Sequence, residues 1–179
     1  RCKDCLGTSI CEHNHLRNTC KICIGSEICI HKKWKYTCKD CEGSLRCEHD
    51  VMERTCKICN IQGYISHLLR SRVHSSVINQ YGVKTHSTRD LLGCTVEEVR
   101  NHLESQFDEG MNWENHGEWH IDHRKPCAMF DLTLQDEQIK CFHYSNLQPM
   151  WASENMSKKD SFCEEEFQWK WNGSRWVED

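Results

Sequence analysis

Asp122, His123 and Asn155 are residue types that together can hydrolyse a phosphodiester. That reaction needs an activated water, positive charge at the phosphate and help for the departing 3′ oxygen. The Asp122 carboxylate and the Asn155 side-chain oxygen are hard donors suited to Mg2+ or Mn2+. Two such ligands leave positions free for phosphate oxygens and water. The His123 imidazole titrates near neutrality and suits a general base, a role worth roughly 10²–10⁴ in rate. In an extended Trp119-His120-Ile121-Asp122-His123 segment, alternation sets His120 and Asp122 on one face and His123 on the other, so His123 flanks the phosphate from beside the cation. His120 is read as a packing or solvent-facing residue before it is read as an extra ligand. Lys158, near Asn155, is a candidate phosphate contact.

A second chemistry is written in the first sixty residues. Cys2, Cys20, Cys38 and Cys56 recur at every eighteenth position, and each is followed three positions later by another cysteine, at Cys5, Cys23, Cys41 and Cys59. Three copies continue with Cys-x-His, at Cys11/His13, Cys29/His31 and Cys47/His49. A Cys-x2-Cys knuckle presents two thiolates to one tetrahedral zinc, and Cys-x-His on a short extended segment presents two more ligands on one face. The glycine two positions after each of the first three knuckles (Gly7, Gly25, Gly43) suits a tight turn. So short a repeat buries too little to fold alone, and about three structural Zn2+ ions per chain would supply the missing energy. A disulfide ladder gives no reason for the recurring histidine. Two registers stay open. Each Cys-x-His closes either with the knuckle before it, leaving Cys56 and Cys59 to find downstream ligands, or with the knuckle after it, leaving Cys2 and Cys5 over. Lys32, Lys33 and Lys35, interleaved with Trp34, suit a phosphate backbone, although a solvated spacer surface explains them too.

The elements that must hold these residues are short. Tyr64, Ile65, Leu68, Leu69, Val73, Val77 and Ile78 recur at helical spacing, predicting a helix over residues 63–81 with Arg70 and Arg72 on its polar faces as candidate DNA contacts. Thr95 with Glu98 three residues on predicts a capped helix carrying Val96, Val99, Leu103 and Phe107. Trp119 starts a strand, and a short helix is predicted over residues 136–142. Trp113 and Trp151 are read as core, and Cys94, Cys127, Cys141 and Cys163 by default as buried free thiols, with the alternative that one or two of them complete a site with Cys56 and Cys59. Trp169, Trp171 and Trp176 mark a strand or a docking segment in an acidic tail.

From residues 91 to 160 the chain resembles the HNH family of ββα-metal (His-Me finger) endonucleases. The resemblance rests on Asp-His-x-x-Pro from Asp122, Asn-Leu-Gln-Pro from Asn146 and Asn-x-x-Lys from Asn155, in that order. It implies that Asp122 and Asn155 bind the catalytic cation, that His123 is the general base, and that Asn146 is structural, bonding across the loop to hold the strand that carries His123. The third motif position, often histidine in the family, is asparagine here. The N-terminal repeats are similar to Cys/His repeats beside nuclease domains in proteins of large DNA viruses and algae. The expected architecture is small α+β: an array of Cys3His repeats over 1–60, a helical linker over 61–90, an HNH domain over 91–163 and a tail over 164–179.

Composition bounds the function classes. Fifteen cysteines and twelve histidines in 179 residues, only 37% of them hydrophobic, point to cross-links in place of a large core. The net charge of −4 hides an asymmetry: residues 1–89 hold 15 basic and 8 acidic side chains (+7), and residues 90–179 hold 8 and 19 (−11). A basic arm on an acidic unit fits a double-stranded DNA partner at one end and a cation at the other. No apolar run reaches a membrane span and the opening residues have no signal-peptide core, so no membrane partner and an intracellular setting, in cytoplasm or nucleus or in a virus-infected host, are expected. A homodimer would let one cut per site become a double-strand break. The competing expectation is a non-catalytic zinc-rich DNA-binding or adaptor protein that has kept the HNH shape.

Overall fold

The computed structural model describes residues 9–178. The chain divides between Asn60 and Ile61 into two compact units.

The N-terminal unit is built from one motif that recurs with the period of the cysteine pairs. Isolated antiparallel bridges join Ile10 to Leu16, Ile28 to Trp34 and Arg46 to Met52. Each bridge closes a hairpin whose tip carries Cys-x-His and then a residue in the left-handed region, Asn14, Lys32 or Asp50. The tips are hydrogen-bonded turns, with the N–H of Asn14, Lys32 and Asp50 donating to the carbonyls of Cys11, Cys29 and Cys47. The Cys-x-His pairs therefore sit in turns and not on extended segments. A 3-10 turn follows each hairpin (Arg17–Thr19, Lys35–Thr37, Glu53–Thr55) and delivers the chain to the next knuckle. The glycine after the knuckle is needed for close approach: a Cβ on Gly43 would lie 2.6 Å from the Tyr36 carbonyl oxygen, and one on Gly25 would collide with the Arg17 and Asn18 carbonyls. The left-handed turn falls one residue earlier, at Ile24 and Glu42. Among the described residues of this unit the fully buried side chains are cysteines and Ile28, while Ile22, Ile30 and Ile58 lie exposed. The described residues of this unit form no apolar core to hold it.

The C-terminal unit is conventional by contrast. Helix α1 (Ile61–Asn79) buries Ile65, Leu69, Val73 and Val77, a stripe every four residues. Helices α2 (Thr88–Leu92) and α3 (Val96–Glu104) follow, and α3 opens on a capping box in which Thr95 and Glu98 bond each other's backbone N–H. Strand β1 (Trp119–His123) pairs antiparallel with β2 (Leu147–Trp151), Asp122 opposite Gln148 and His123 opposite Leu147. Between them lies α4 (Gln135–Phe142), and after β2 comes α5 (Ala152–Lys158). One apolar cluster joins Ile65 and Leu69 to α3, Trp113, Trp119 and Ile121. A second joins Val73 and Val77 to Leu91, Phe130, Phe142 and Trp176. Residues 61–90, read from sequence as a linker, thus carry two helices that pack into this unit. The tail forms a hairpin of β3 (Trp169–Trp171) and β4 (Trp176–Glu178), which seats Trp176 in the second cluster.

Two buried amides fix the irregular segments. Gln138 donates to the carbonyls of Val83 and Leu132 and accepts from Thr85, pinning the loop before α2. Asn146 donates to the carbonyls of Lys125 (3.1 Å) and Cys141 (2.9 Å) and accepts from the Lys125 N–H (2.9 Å). Replacing Asn146 by alanine strips three buried backbone groups of their partner, each worth about 1–3 kcal/mol when left unpaired. We expect Asn146→Ala to lower the stability of this unit by roughly 3 kcal/mol, read as a lower urea midpoint at unchanged slope. An unchanged midpoint would contradict this account.

Candidate functional site

The β1–β2 ribbon is twisted against α5, and its register decides which side chains meet. Trp119 and Ile121 point into the first apolar cluster, which turns His120 and Asp122 toward α5. On α5, Asn155 and Lys158 are one helical turn apart and share that face. The Asn155 amide nitrogen lies 2.9 Å from His120 Nδ1. The Lys158 ammonium donates to Asp122 Oδ2 at 2.5 Å and to the His123 carbonyl at 2.8 Å. Gln148, across the ribbon, donates to the same Asp122 oxygen at 3.1 Å. His120, Asp122, Asn155 and Lys158 therefore form one constellation. Lys158, read from sequence as a phosphate contact, is here the counter-charge of Asp122.

His123 ends the strand and faces elsewhere. Its Nδ1 lies 3.6 Å from Cys127 Sγ, and its ring meets Phe142 edge-on. Cys127 Sγ lies in turn 3.5 Å from Cys141 Sγ. The Cys141 thiol, and then the His123 imidazole, draw Cys127 down to about 4 despite its burial, whereas burial pushes Cys141 up. Arg72, from α1, is electrostatically coupled to both Asp122 and Cys127. Burial pulls its guanidinium below the ordinary value and those two groups oppose the shift. Sequence reasoning missed the cysteines, which reach His123 from a turn and from α4. It named Arg72 as a DNA contact without linking it to Asp122. Lys158 on the Asn155 face was findable from helical spacing alone.

The donor types beside α5 are ones a hard divalent cation could use. A carboxylate oxygen, an amide that offers oxygen when turned about, and an imidazole nitrogen lie on one face. Asp122, Asn155 and His120 are the residues that could hold it.

In the N-terminal unit the described ligands fall into three clusters: Cys11/His13/Cys20/Cys23, Cys29/His31/Cys38/Cys41 and Cys47/His49/Cys56/Cys59. Each Cys-x-His thus closes with the knuckle that follows it, and Cys56 and Cys59 need no downstream partner. Cys2 and Cys5 lie outside the described residues. His31 Nδ1 is 3.3, 3.5 and 3.9 Å from the sulfurs of Cys41, Cys38 and Cys29. His13 stands at 3.2, 3.7 and 3.9 Å from Cys23, Cys20 and Cys11. A tetrahedral zinc with its usual bond lengths sets such nitrogen–sulfur edges at about 3.6 Å, so the clusters are compatible with zinc. Backbone N–H groups of Cys59 and Ile58 draw Cys56 down to about 7, while burial and the neighbouring sulfurs push Cys59 up to about 12. A divalent cation would relieve that crowding by taking the place of the retained proton.

The candidate DNA contacts are placed unevenly. Lys32, Lys35 and Arg70 are exposed, whereas Lys33 pairs with Asp40 at 3.2 Å. Trp34 stacks on Tyr36 beside them. Trp113 and Trp151 pack in or against the first cluster. No described helix is long and apolar enough to cross a membrane.

No protein-family pattern matches the chain and no solved structure resembles it closely enough to count as a match. Two proteins of Acanthamoeba polyphaga mimivirus do match. Uncharacterized protein L426 is 39% identical over 100 residues, covering 55% of this chain and 43% of the relative. Uncharacterized protein L246 is 41% identical over 93 residues, covering 51% and 40%. The chain therefore spans about two fifths of the length of the relatives it matches.

Proposed function

We propose that the chain is a metal-dependent DNA endonuclease of the HNH type, with zinc-held repeats that assist DNA binding. The observation that carries this reading is the pairing of His120 with Asn155 and of Asp122 with Lys158 between β1 and α5, with His123 at the adjacent strand end. The strand–strand–helix order and the Asn146 tether are what the resemblance to that family leads one to expect.

Asp122 and Asn155, with His120 as a third donor, would hold Mg2+ or Mn2+. Bound there, the cation would polarise the phosphate and offset the charge that develops on it. His123 takes the proton from the attacking water. Its Nδ1 is turned toward Cys127, which leaves Nε2 for that task. Asn146 fixes the Lys125 backbone just beyond His123 and so limits how far the imidazole drifts from the phosphate. With Asp122 engaged by a cation, Lys158 would be free to meet a phosphate oxygen. Arg72, already coupled to Asp122, adds positive charge on the same side. Exposed Lys32, Lys35 and Arg70 would grip the duplex backbone without regard to sequence. Each site cuts one strand, so a double-strand break requires two copies. The viral relatives suit action inside an infected host cell.

Three zinc ions, one in each Cys3His cluster, would hold the repeat array, because that unit lacks an apolar core to stand on. Chelation should render residues 9–60 sensitive to protease while leaving the C-terminal unit resistant. Cys38→Ser should lower the bound zinc by about one ion per chain. An array that stays protease-resistant after the zinc is stripped would remove the metal from the account of its folding.

Cleavage is tested on supercoiled plasmid with Mg2+ or Mn2+. The wild-type protein should nick it, His123→Ala should be slower by about 10²–10⁴, and Asp122→Ala should lose its dependence on added cation. Plasmid left intact by wild-type protein with every hard cation tried would refute the nuclease reading, and so would a His123→Ala variant that cuts at the wild-type rate.

A further inference from the structure

His123, Cys127 and Cys141 bring one nitrogen and two sulfurs within 4.8 Å of one another. The three come from different elements: the end of β1, the 3-10 turn Cys127–Met129 and helix α4. The His123 Nδ1 to Cys127 Sγ separation, 3.6 Å, falls inside the span of His–Cys separations found in the first two N-terminal clusters, and the same ring nitrogen is used in all of them. The sulfur–sulfur separation of 3.5 Å is far beyond a covalent disulfide and close to the edge of about 3.8 Å that a tetrahedral zinc dithiolate requires. We infer that His123, Cys127 and Cys141 form a further metal site, selective for a thiophilic divalent cation such as Zn2+ or Cd2+ and distinct from the three N-terminal clusters and from the hard-cation site proposed beside α5.

Three features argue for a built site over a chance thiol pair in a core. The ligand-bearing segments are held by hydrogen bonds that do not involve the thiols. Asn146 bonds the Cys141 carbonyl and the Lys125 backbone, and the Gln80 amide donates to the Cys127 carbonyl at 2.9 Å. Cys141 is fully enclosed and His123 nearly so, whereas Cys127 keeps partial access, giving a cation a way in. The donor set is soft. Two thiolates and an imidazole bind Zn2+ with balanced charge and offer Mg2+ nothing it prefers. Three protein ligands leave a fourth tetrahedral position for water, the pattern of an exchangeable zinc and not of a closed one.

Occupancy has a consequence that rests on the nuclease reading. A cation on Nδ1 leaves the proton of the neutral imidazole on Nε2, where the attacking water would need a lone pair. Zn2+ at this site would therefore silence His123 while Mg2+ beside α5 is still bound, making the enzyme zinc-inhibited through its own base.

The test uses the full chain, reduced and with its array zinc-loaded, titrated with Co2+. One further equivalent should enter with thiolate-to-cobalt charge-transfer absorption, and that absorption should be lost in Cys127→Ser and in Cys141→Ala. Circular dichroism of each variant checks that it is folded. In plasmid cleavage with Mg2+, added Zn2+ should inhibit wild type, and Cys141→Ala should shift the inhibiting concentration upward by more than about tenfold relative to its own zinc-free rate. A folded Cys127→Ser variant that keeps the full extra cobalt signal would overturn the site. So would reduced wild-type protein that takes up no metal beyond its array, including one that yields only a Cys127–Cys141 disulfide on oxidation. Uptake of the extra cobalt by a protein that cuts no DNA would uphold the site and sink the nuclease reading. Cleavage by a protein that binds no extra cobalt would do the reverse.

Discussion

The buried amide of Asn146 is the constraint on which the C-terminal unit turns. A single side chain with no exposed surface spends both amide hydrogens and its oxygen on backbone groups of two segments far apart in sequence, the turn after β1 and the end of α4. Its own carbonyl then accepts from the Arg124 N–H, continuing the β1–β2 pairing one residue past the strand. No apolar residue can do this, because hydrophobic contact has no direction, whereas an amide dictates which backbone atoms face it. The position of His123, and of the cysteines near it, follows from that choice.

The two units solve the stability problem in opposite ways. The C-terminal unit aligns the stripe of α1 with two apolar clusters, so its helices and ribbon are held by area removed from water. The N-terminal unit leaves several isoleucines in solvent and buries Cys11, Cys20, Cys29, Cys38 and Cys56 instead. Its hairpins and 3-10 turns are each too short to persist alone. They are positioned by four ligand atoms drawn to one point, which makes the repeat a chain of independent clips and not a domain with a core. The constant spacing from Cys20 to Cys38 to Cys56 is the length of chain needed to make one hairpin, one turn and one knuckle.

What the sequence revealed depended on how local the signal was. The repeat, the Thr95–Glu98 capping box and the α1 stripe are legible because each is a pattern within one or two turns of chain. The ligand register was not, since loops of five and six residues differ too little to choose between. The choice is made by the hairpin, which turns Cys-x-His back toward the 3-10 turn and onward to the next knuckle. The glycines were visible, but the reason for them was not: the left-handed residue is the one before, and Gly43 is required by the passage of Tyr36. Strand alternation put His120 and Asp122 on one face, and that pattern is in the structure. Cys141 beside His123 was beyond reach, because nothing local ties a sulfur on α4 to an imidazole at the end of β1.

On the proposed nuclease reading, the charges around Asp122 would keep a cation site stable before a cation binds. A buried carboxylate without a partner is costly to place among apolar neighbours. Lys158 at 2.5 Å, Gln148 at 3.1 Å and the more distant Arg72 meet that cost with groups of differing mobility. The lysine is a point charge on a flexible stem and withdraws by rotating its own bonds. A divalent ion bound there would offer Asp122 twice the charge of the ammonium at a comparable distance, so exchange would be favoured once the ion had shed enough of its water to accept protein oxygens. Phosphate lowers that barrier by replacing the lost waters with its own oxygens. Cation and nucleic acid would then bind cooperatively, each completing a shell that the protein alone leaves open, and Lys158 would move from the carboxylate to the phosphate without crossing more than its own length.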